Sequence, residues 1–341
     1  MPLTKDEIIY YLTHKEAEEK LFAWADEIRR KYCGDVAHLR GVIHFSNYCR
    51  CDDLYCGLRK SNKEMKRFRM DKDTIIALAD EIASAGIKTI VLQSGEDLYY
   101  DRKMICKIIG EIKKRHDVAI TLSLGERSYD DYKAFYEAGA DRYLMKHETM
   151  NEKLYERMRP GRKLKERLKA LEYLRKIGFQ VGAGNIVGLP GQTIEDLADD
   201  ILFFQDFQPD MINIGPFIPH PQTPLRDSPK GDFELMLRVF ALTRIVTLNT
   251  HLAAANTVAT LRPIEGQYLC FVKGGANVLM PNCNPFLESI KKKVEFEFQC
   301  APKKRYVSVE EARLILQKAG RKIAKDKGHS LKRRVKEATE C

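Results

Sequence analysis

The sequence predicts an α/β protein: a complete (β/α)8 barrel of the TIM type, with N-terminal helices and a basic helical C-terminal tail. Eight apolar runs rich in β-branched residues alternate with amphipathic helical segments along the 341 residues. These runs lack a strict polar and apolar alternation, which is typical of parallel strands covered by helices. Polar and reactive side chains follow each run, as they do at the C-terminal ends of the strands in such a barrel.

The predicted elements follow one another in a regular order. A helical segment spans residues 5–31, and the first strand lies in HLRGVIHF. A cysteine-bearing loop and the helix DKDTIIALADEIASAG follow, with Asp71 or Asp73 as the N-cap. The later strands lie in KTIVLQS, VAITLSLG, DRYLMKHE, FQVGAGNIVG, DMINIGPF, HLAAANT and ANVLMP. Two of the intervening helices end at Gly139 and Gly178, where a left-handed C-cap is least unfavourable.

The chain divides into three predicted segments: an N-terminal helical extension (1–36), the barrel (37–300) and the basic helical tail (301–341). The tail carries 13 Lys and Arg against 5 Asp and Glu, or +8 of the net charge of +10. Such charge is typical of a segment that contacts nucleic acid or an acidic partner. The basic residues are interleaved with an amphipathic pattern, however, which favours a solvated helical tail packed on the barrel. Nucleic acid is therefore not an expected partner.

Composition excludes several classes of protein. No stretch approaches the roughly 20 uncharged apolar residues of a membrane helix, so no membrane association is expected. The polar, charged start MPLTKDEIIYYLTHKEAEEK is not a secretory signal. Nine unevenly placed cysteines argue against a disulfide framework. Together these features predict a cytoplasmic protein with free thiols.

Three cysteines lie within eight positions in SNYCRCDDLYCGLR: Cys49, Cys51 and Cys56. Thiolates this close on one loop favour a single metal centre. Zinc usually takes four Cys or His ligands in two separated pairs, and no second CxxC or HxxxH pair accompanies this trio. An iron–sulfur cluster with one open iron fits three thiolates better.

The stretch SNYCRCDDLYCGLRKSNK resembles the cluster loop of radical S-adenosylmethionine (radical SAM) enzymes, whose usual form is CxxxCxxC with an aromatic residue before the last cysteine. The phrases VLQSGED, TLSLGE, AGADRYLMKHET, GAGNIVGLPGQTIEDL, NIGPFIPHPQTPL and GANVLMPN resemble, in order, signature stretches of the branch that holds HydE, PylB and HmdB. The resemblance covers residues 20–300. It implies an enzyme with a 4Fe–4S cluster and S-adenosylmethionine (SAM), which it cleaves reductively to a 5′-deoxyadenosyl radical. It also implies a small molecule or small metal complex as substrate and an electron donor such as ferredoxin or flavodoxin.

The resemblance assigns site residues one by one, and it assigns no catalytic side chain. The cluster ligands are Cys49, Cys51 and Cys56, and the cofactor contacts are Tyr55, Ser94, Gly95, Glu96, Ser123, Glu148, Arg167, Ile186 and Met211. The substrate-cavity positions are Thr121, Arg142, Lys146, His220, Ala255 and Asn256. Taken alone, Arg167 reads as a solvated helix residue, Met211 as a core residue, and His220 either as a substrate contact or as part of a loop stiffened by its flanking prolines.

The chain departs from the usual pattern in its cysteine spacing and in its cavity. The usual spacing would place cysteines at 49, 53 and 56, but Asp53 occupies the middle position and Cys51 is the additional thiol. Either Cys51 completes the site or Asp53 takes the position as a weak ligand or none; thiolate is the better partner for iron–sulfur, which favours Cys51. In the cavity, HydE has Arg where Lys146 stands, and two threonines where Ala255 and Asn256 stand.

The implied function is hydrogenase metallocofactor biosynthesis. The spacing departure tilts the sequence interpretation toward an HmdB-like role in making the iron–guanylylpyridinol cofactor. An [FeFe] hydrogenase maturase of HydE type is the alternative, followed by a methylornithine-synthase-like mutase. A non-catalytic cluster or cofactor scaffold is the hypothesis from a different class, which the intact Glu96, Glu148 and Arg167 disfavour.

Overall fold

The computed structural model describes residues 2–284 and 307–332, which form an α/β fold around a curled sheet of parallel strands. The strands are β1 Val36–Leu39, β2 Gly41–Ser46, β3 Thr89–Ser94, β4 Ala119–Ser123, β5 Arg142–Leu144, β6 Gln180–Ala183, β7 Ile186–Val187, β8 Met211–Pro216, β9 His251–Ala254, β10 Val278–Leu279 and β11 Lys322–Ile323. The predicted α/β class and parallel strand direction are confirmed.

Helices connect successive strands along most of the chain. They are α1 Lys5–Thr13, α2 Glu18–Cys33, α3 Lys72–Ser84, α4 Arg102–Arg115, α5 Tyr129–Glu137, α6 Glu152–Met158, α7 Leu164–Ile177, α8 Ile194–Phe207, α9 Phe233–Thr247, α10 Asn256–Leu261, α11 Glu265–Val272 and α12 Val309–Lys318. The single helical segment predicted over 5–31 is divided near His14, where a short 3-10 turn begins. Asp71 is the N-cap of α3, since its side chain accepts a hydrogen bond from the Thr74 amide. Gly178 ends α7 in the left-handed conformation.

The strand order is β11-β1-β10-β9-β8-β6-β5-β4-β3-β2, with β7 paired beside β8. β1 and β2 are separated by Arg40 alone. β1 pairs with β10 through Leu39 and Leu279, whereas β2 pairs with β3 through Val42 and Val91. Residues 36–46 therefore contact strands at both ends of the curled order.

The two faces of the sheet bury different amounts of apolar surface. Along β3, Ile90 and Leu92 belong to the main core between sheet and helices, while Val91 belongs to a smaller cluster with Val42 and Val278. This alternation follows from the two-residue period of a strand. Val42 and Met280 of the smaller cluster also line the cavity described below, so the cavity lies on the same side of the sheet as this cluster.

The C-terminal segment packs against the strand starts. β11 pairs in parallel with β1, and the Gly328 carbonyl accepts a hydrogen bond of 2.7 Å from Arg142. Of the predicted tail, residues 307–332 hold α12 and β11, and the remainder lies outside the described residues. In the chain as described, no helix is long and apolar enough to cross a membrane.

Candidate active site

A cavity of about 290 Å³ opens at the C-terminal ends of the strands, as parallel topology predicts. Its lining draws on β7 and on residues at or after the C-terminal ends of β2, β3, β4, β5, β8, β9 and β10. The sequence-predicted residues that line it are Cys49, Cys51, Tyr55, Cys56, Ser94, Gly95, Glu96, Ser123, Lys146, Glu148, Arg167, Ile186, Ala255 and Asn256. Residues scattered over more than 200 positions thus meet at one site.

The structure places Thr121, Arg142 and Met211 outside this lining. Arg142 and Met211 are the first residues of β5 and β8, so they lie at the opposite end of the strands from the cavity. Arg142 donates to the backbone carbonyl of Gly328, and an Arg40 nitrogen lies 2.8 Å from the Met211 sulfur. They are outside the lining because they lie at the starts of their strands. A match to a sequence motif does not show how far along a strand a residue lies.

His220 also lies away from the cavity lining. The side chain is 3% exposed, and its Nδ1 accepts a hydrogen bond of 3.1 Å from the Gln222 amide. Its carbonyl oxygen accepts from the Thr223 hydroxyl at 2.8 Å. His220 thus makes its contacts within its own loop, the one flanked by Pro219 and Pro221.

The cysteine loop is seated on Gly95. A Cβ at this position would lie 2.2 Å from the Tyr48 carbonyl oxygen and 2.9 Å from the Cys49 Cβ, so any side chain would displace the loop. The next amide, that of Glu96, donates to the Cys49 sulfur at 3.4 Å. The glycine predicted as a cofactor contact therefore also positions the first cysteine.

Cys51 and Asp53 have different surroundings. Cys51 is 3% exposed and its sulfur accepts a hydrogen bond of 3.1 Å from the Arg162 guanidinium. A hydrogen bond with Cys49, burial and the negative charge of Glu96 raise the pKa of the Cys51 thiol. The Asp53 carboxylate is instead paired with Arg159, whose Nε lies 3.0 Å from Oδ1. The carboxylate at position 53 is therefore already neutralised by a guanidinium.

Glu96 lies among several guanidinium groups. Its carboxylate is 3.0 Å from Arg50, 3.2 Å from Arg162 and 3.8 Å from Arg167. Burial raises the pKa of Glu96, but Arg167, Arg162 and Arg159 outweigh it and lower the pKa to about 2. The residue is thus a buried anion.

Sequence reasoning missed Arg159 and Arg162. They flank the turn MRPGRK between α6 and α7, where Arg159 pairs with Asp53 and Arg162 contacts Cys51. A turn with Pro and Gly between two arginines, shortly after the KHET stretch, was the available signal. Nothing in the spacing indicated that it lies over the cysteine loop.

Glu148 is held in an uncommon backbone conformation. Its φ is 70°, a region that L-residues other than Asn and Asp seldom adopt, so local structure must enforce it. Its amide donates to the Gly184 carbonyl and its own carbonyl accepts from Ile186. The side chain lines the cavity beside Lys146, whose Nζ lies 3.0 Å from the carboxylate. Burial alone would raise the pKa of Glu148, but the positive charges of Lys146 and Arg159 outweigh it. The pKa of Glu148 is therefore lowered.

The donor set fits a cluster better than a single ion. Within residues 2–284 and 307–332, no three His, Cys, Asp or Glu side chains are arranged to chelate one metal ion. A 4Fe–4S cluster places each thiolate on a different iron, so it requires sulfurs around a shared cavity and not around one point. Cys49, Cys51 and Cys56 line the same cavity, which meets that requirement.

Comparison with known proteins also indicates a radical SAM enzyme. The family model for the radical SAM superfamily matches residues 43–204. The [FeFe] hydrogenase maturase subunit HydE of Thermotoga maritima is 51% identical over 267 residues, covering 78% of this chain and 76% of that protein. The 3-methylornithine synthase of Methanosarcina acetivorans is 27% identical over 237 residues, covering 69% and 67%.

Solved structures extend the likeness of fold to nearly the whole chain. Methylornithine synthase (PylB) matches with a TM-score of 0.83 at 24% identity, covering 95% of each chain. HydG from Carboxydothermus hydrogenoformans matches with a TM-score of 0.78 at 18% identity, covering 94% of this chain and 76% of that one. The chain therefore belongs to the radical SAM superfamily, in the branch that holds HydE and PylB, and it is an enzyme that uses a 4Fe–4S cluster and SAM.

Proposed function

We propose that this radical SAM enzyme acts in the assembly of a hydrogenase metallocofactor, in a role of the HydE type. The observation that carries the proposal is the 51% identity to HydE over 78% of the chain. This support favours what the sequence alone ranked as the alternative. The small substrate, the cytoplasmic location and the ferredoxin or flavodoxin donor are parts of the same proposal.

Cys49, Cys51 and Cys56 are the proposed cluster ligands. They would supply three thiolates to a 4Fe–4S cluster, and the bound cluster would supply the electron for the reductive cleavage of SAM. Support for Cys51 over Asp53 comes from the pairing of Asp53 with Arg159 at 3.0 Å. Arg162, which donates to the Cys51 sulfur, orients the thiolate and offsets its negative charge.

The chain's own side chains would bind and orient SAM. Ser94, Gly95 and Glu96 are proposed to hold the amino group, which suits an anionic Glu96. Glu148 and Arg167 are proposed to hold the ribose and carboxylate ends, on walls next to the cysteine loop. The role of Lys146 is to keep Glu148 ionised.

Sheet closure would protect the radical from solvent. Residues 36–46 pair with β10 on one side and β3 on the other, so we propose that the strands close as an eight-stranded barrel. The C-terminal segment covers the strand starts through its contact with Arg142. An enclosed lumen keeps water away from a reactive radical.

Asn256 is the proposed acceptor for a substrate N–H or O–H group. Its side chain is 7% exposed and lines the cavity. Its amide nitrogen donates to the Met280 carbonyl at 3.0 Å, while its Oδ1 has no hydrogen-bond partner among the described residues. A buried acceptor without a partner is unfavourable unless a ligand satisfies it.

An HmdB-like role is the second candidate. It is favoured by the cysteine spacing and by Lys146, Ala255 and Asn256, where the resemblance implies Arg and two threonines in HydE. Lys146, Ala255 and Asn256 offer no guanidinium and no hydroxyl at these three positions. The cavity would therefore hold a different anionic substrate from one with Arg and two threonines there.

The first experiment is anaerobic reconstitution followed by iron analysis, EPR spectroscopy with and without SAM, and a 5′-deoxyadenosine assay with dithionite. We expect about four irons per chain, a SAM-perturbed reduced signal and deoxyadenosine. Cys51→Ala should abolish all three, whereas Asp53→Ala should keep them. A protein that binds no cluster, or a cluster that ignores SAM, would leave only the scaffold hypothesis.

Complementation separates the two maturation roles. Expression in a strain lacking HydE should restore [FeFe] hydrogenase activity if the HydE-type role is correct, and Cys51→Ala should not restore it. Failure to restore activity by a protein that cleaves SAM in vitro would favour the HmdB-like role.

A further inference from the structure

Positive charge is concentrated on the outer side of the cysteine loop. Residues 59–69, RKSNKEMKRFR, hold six Lys and Arg and one Glu. Residues 1–300 together hold 45 basic and 43 acidic residues, so the rest of that range is slightly acidic. Lys60, Lys63 and Lys66 are exposed, and none has an ion-pair partner within the part of the chain that the structure describes. They form a basic patch in which Glu64, whose carboxylate accepts a hydrogen bond from Gln222, is the one acidic residue of the segment.

Backbone contacts attach this segment to the proposed cluster ligands. The Lys60 amide donates to the Cys51 carbonyl at 2.8 Å, and the Arg59 amide donates to the Cys56 carbonyl at 3.1 Å. The Arg67 guanidinium donates to the Leu58 carbonyl at 2.9 Å. The exposed lysines are therefore carried on backbone that is fixed to the cysteine loop.

Two exposed tyrosines adjoin the loop. Tyr48, which precedes Cys49, is 37% exposed, and Tyr99 is 57% exposed. The Arg69 guanidinium lies 3.9 Å from the Tyr48 ring centre and 4.5 Å from that of Tyr99, and Asp97 holds it at 2.7 Å. The tyrosines and Arg69 thus form an ordered aromatic surface. We call Tyr48, Lys60, Lys63, Lys66, Arg69 and Tyr99 the cluster-loop face.

We propose that the cluster-loop face docks an acidic protein that carries a low-potential one-electron centre. This inference rests on the proposed function, because the reductive cleavage of SAM consumes one electron. The carrier is oxidised by one electron, and the cluster held by Cys49, Cys51 and Cys56 is reduced by one. The unpaired lysines attract an acidic partner and the aromatic surface supplies the contact area. Docking here would bring the carrier's centre close to the cluster, since Tyr48 adjoins Cys49 in the chain.

Nucleic acid is the competing occupant of a basic and aromatic surface. The position of the cluster-loop face argues against nucleic acid. Its backbone is hydrogen-bonded to Cys51 and Cys56, so it lies over the cysteine loop. RNA binding has no need of that position. The experiment includes RNA as a competitor, so this alternative is one of its outcomes.

The test compares two triple variants with the same change in charge. Lys60→Glu/Lys63→Glu/Lys66→Glu reverses the charge of the face. Lys107→Glu/Lys114→Glu/Lys176→Glu is the control, because these exposed lysines lie on the outer helices α4 and α7. Iron content and circular dichroism establish that both variants are folded and loaded.

Binding is measured by calorimetry on reconstituted protein with an oxidised acidic flavodoxin, at about 50 mM and about 300 mM salt. We expect the dissociation constant of the face variant to rise about tenfold or more, that of the control to stay within about twofold, and the unmodified protein to bind more weakly at high salt. Absence of flavodoxin binding to the unmodified protein, equal binding by the face variant, or displacement of flavodoxin by single-stranded RNA would overturn the inference.

A second measurement separates this inference from the proposed function. Deoxyadenosine formation driven by dithionite should be the same in all three proteins, whereas formation driven by reduced flavodoxin should fall about tenfold in the face variant alone. Loss of the dithionite-driven reaction in every protein would contradict the proposed function, while the binding data would still decide the docking surface. Equal flavodoxin-driven rates would contradict the docking surface alone.

Discussion

The Nε of Arg159 lies 3.0 Å from Oδ1 of Asp53, so a buried guanidinium neutralises the carboxylate that stands where the usual motif has a cysteine. The same guanidinium reaches to 3.9 Å from the sulfur of Cys51. Cys51 and Asp53 both line the cavity, and the carboxylate of Asp53 is held there in an ion pair. This pairing supports our proposal that Cys51, and not Asp53, is the third cluster ligand.

Asp53→Asn should keep the cluster but lower stability. The amide retains the shape of the carboxylate, but Arg159 loses a charge-assisted contact, and we expect the free energy of unfolding to fall by about 1–3 kcal/mol. Urea unfolding of the apoprotein measures this, and iron analysis after reconstitution measures the cluster. Loss of iron in Asp53→Asn, with Cys51→Ala unaffected, would contradict the assignment.

Gly95→Ala should displace the cysteine loop, because its Cβ would lie 2.2 Å from the Tyr48 carbonyl oxygen. We expect iron incorporation to fall severalfold and the free energy of unfolding to drop by about 1–3 kcal/mol, the usual effect of overpacking. Gly110→Ala is the matched control, since nothing lies within 4 Å of its added Cβ in α4. That variant should keep its iron and be up to about 1 kcal/mol more stable. Full iron loading of Gly95→Ala would disprove the steric argument.

Lys146→Met should weaken SAM binding. Without the ammonium group 3.0 Å away, burial raises the pKa of Glu148 and its carboxylate becomes a poorer partner for the ribose. We expect the SAM dissociation constant to rise about tenfold, the effect of one lost charge-assisted hydrogen bond. Lys146→Arg keeps the ion pair and should bind SAM as the unmodified protein does. Calorimetry on the reconstituted protein measures both, and equal affinity of the Met variant would exclude this role for Lys146.

Lys332 should make stability rise with pH. Burial lowers the pKa of Lys332 to about 8 from 10.5, and its Nζ donates to Gln208 and to the Thr247 carbonyl. Between about pH 8 and 10.5 the unfolded state binds more protons than the folded state, so the free energy of unfolding increases with pH across that window. Allowing for partial exposure, the increase is on the order of 2 kcal/mol.

The difference between unmodified protein and Lys332→Met isolates this contribution from the other groups that titrate at alkaline pH. Urea unfolding at several pH values should show a flatter rise in Lys332→Met. Lys325→Met changes an exposed lysine of the same segment and should parallel the unmodified protein. Identical slopes in all three proteins would show that Lys332 is not buried as described.

The sequence by itself determined the α/β class, the parallel strand direction and the set of loops that form the site. These follow from local signals: β-rich apolar runs, helical periodicity and reactive residues directly after each strand. The family assignment also came from the sequence, since several phrases occur in order, each after a predicted strand. Fourteen of the predicted site residues line the cavity, Glu96, Glu148 and Asn256 among them.

Only the tertiary structure decided how far along its strand each residue lies and which charged groups form ion pairs. Arg142 and Met211 follow the family's motifs, but they begin their strands and lie away from the cavity. Arg159 is 106 positions from Asp53, and no periodicity relates the two. Ion pairs depend on the distance between charged atoms in the folded chain, and that distance is set by the packing of α6 and α7 over the cysteine loop. The sequence therefore named fourteen residues that line the cavity, and the fold determined which charges neutralise one another there.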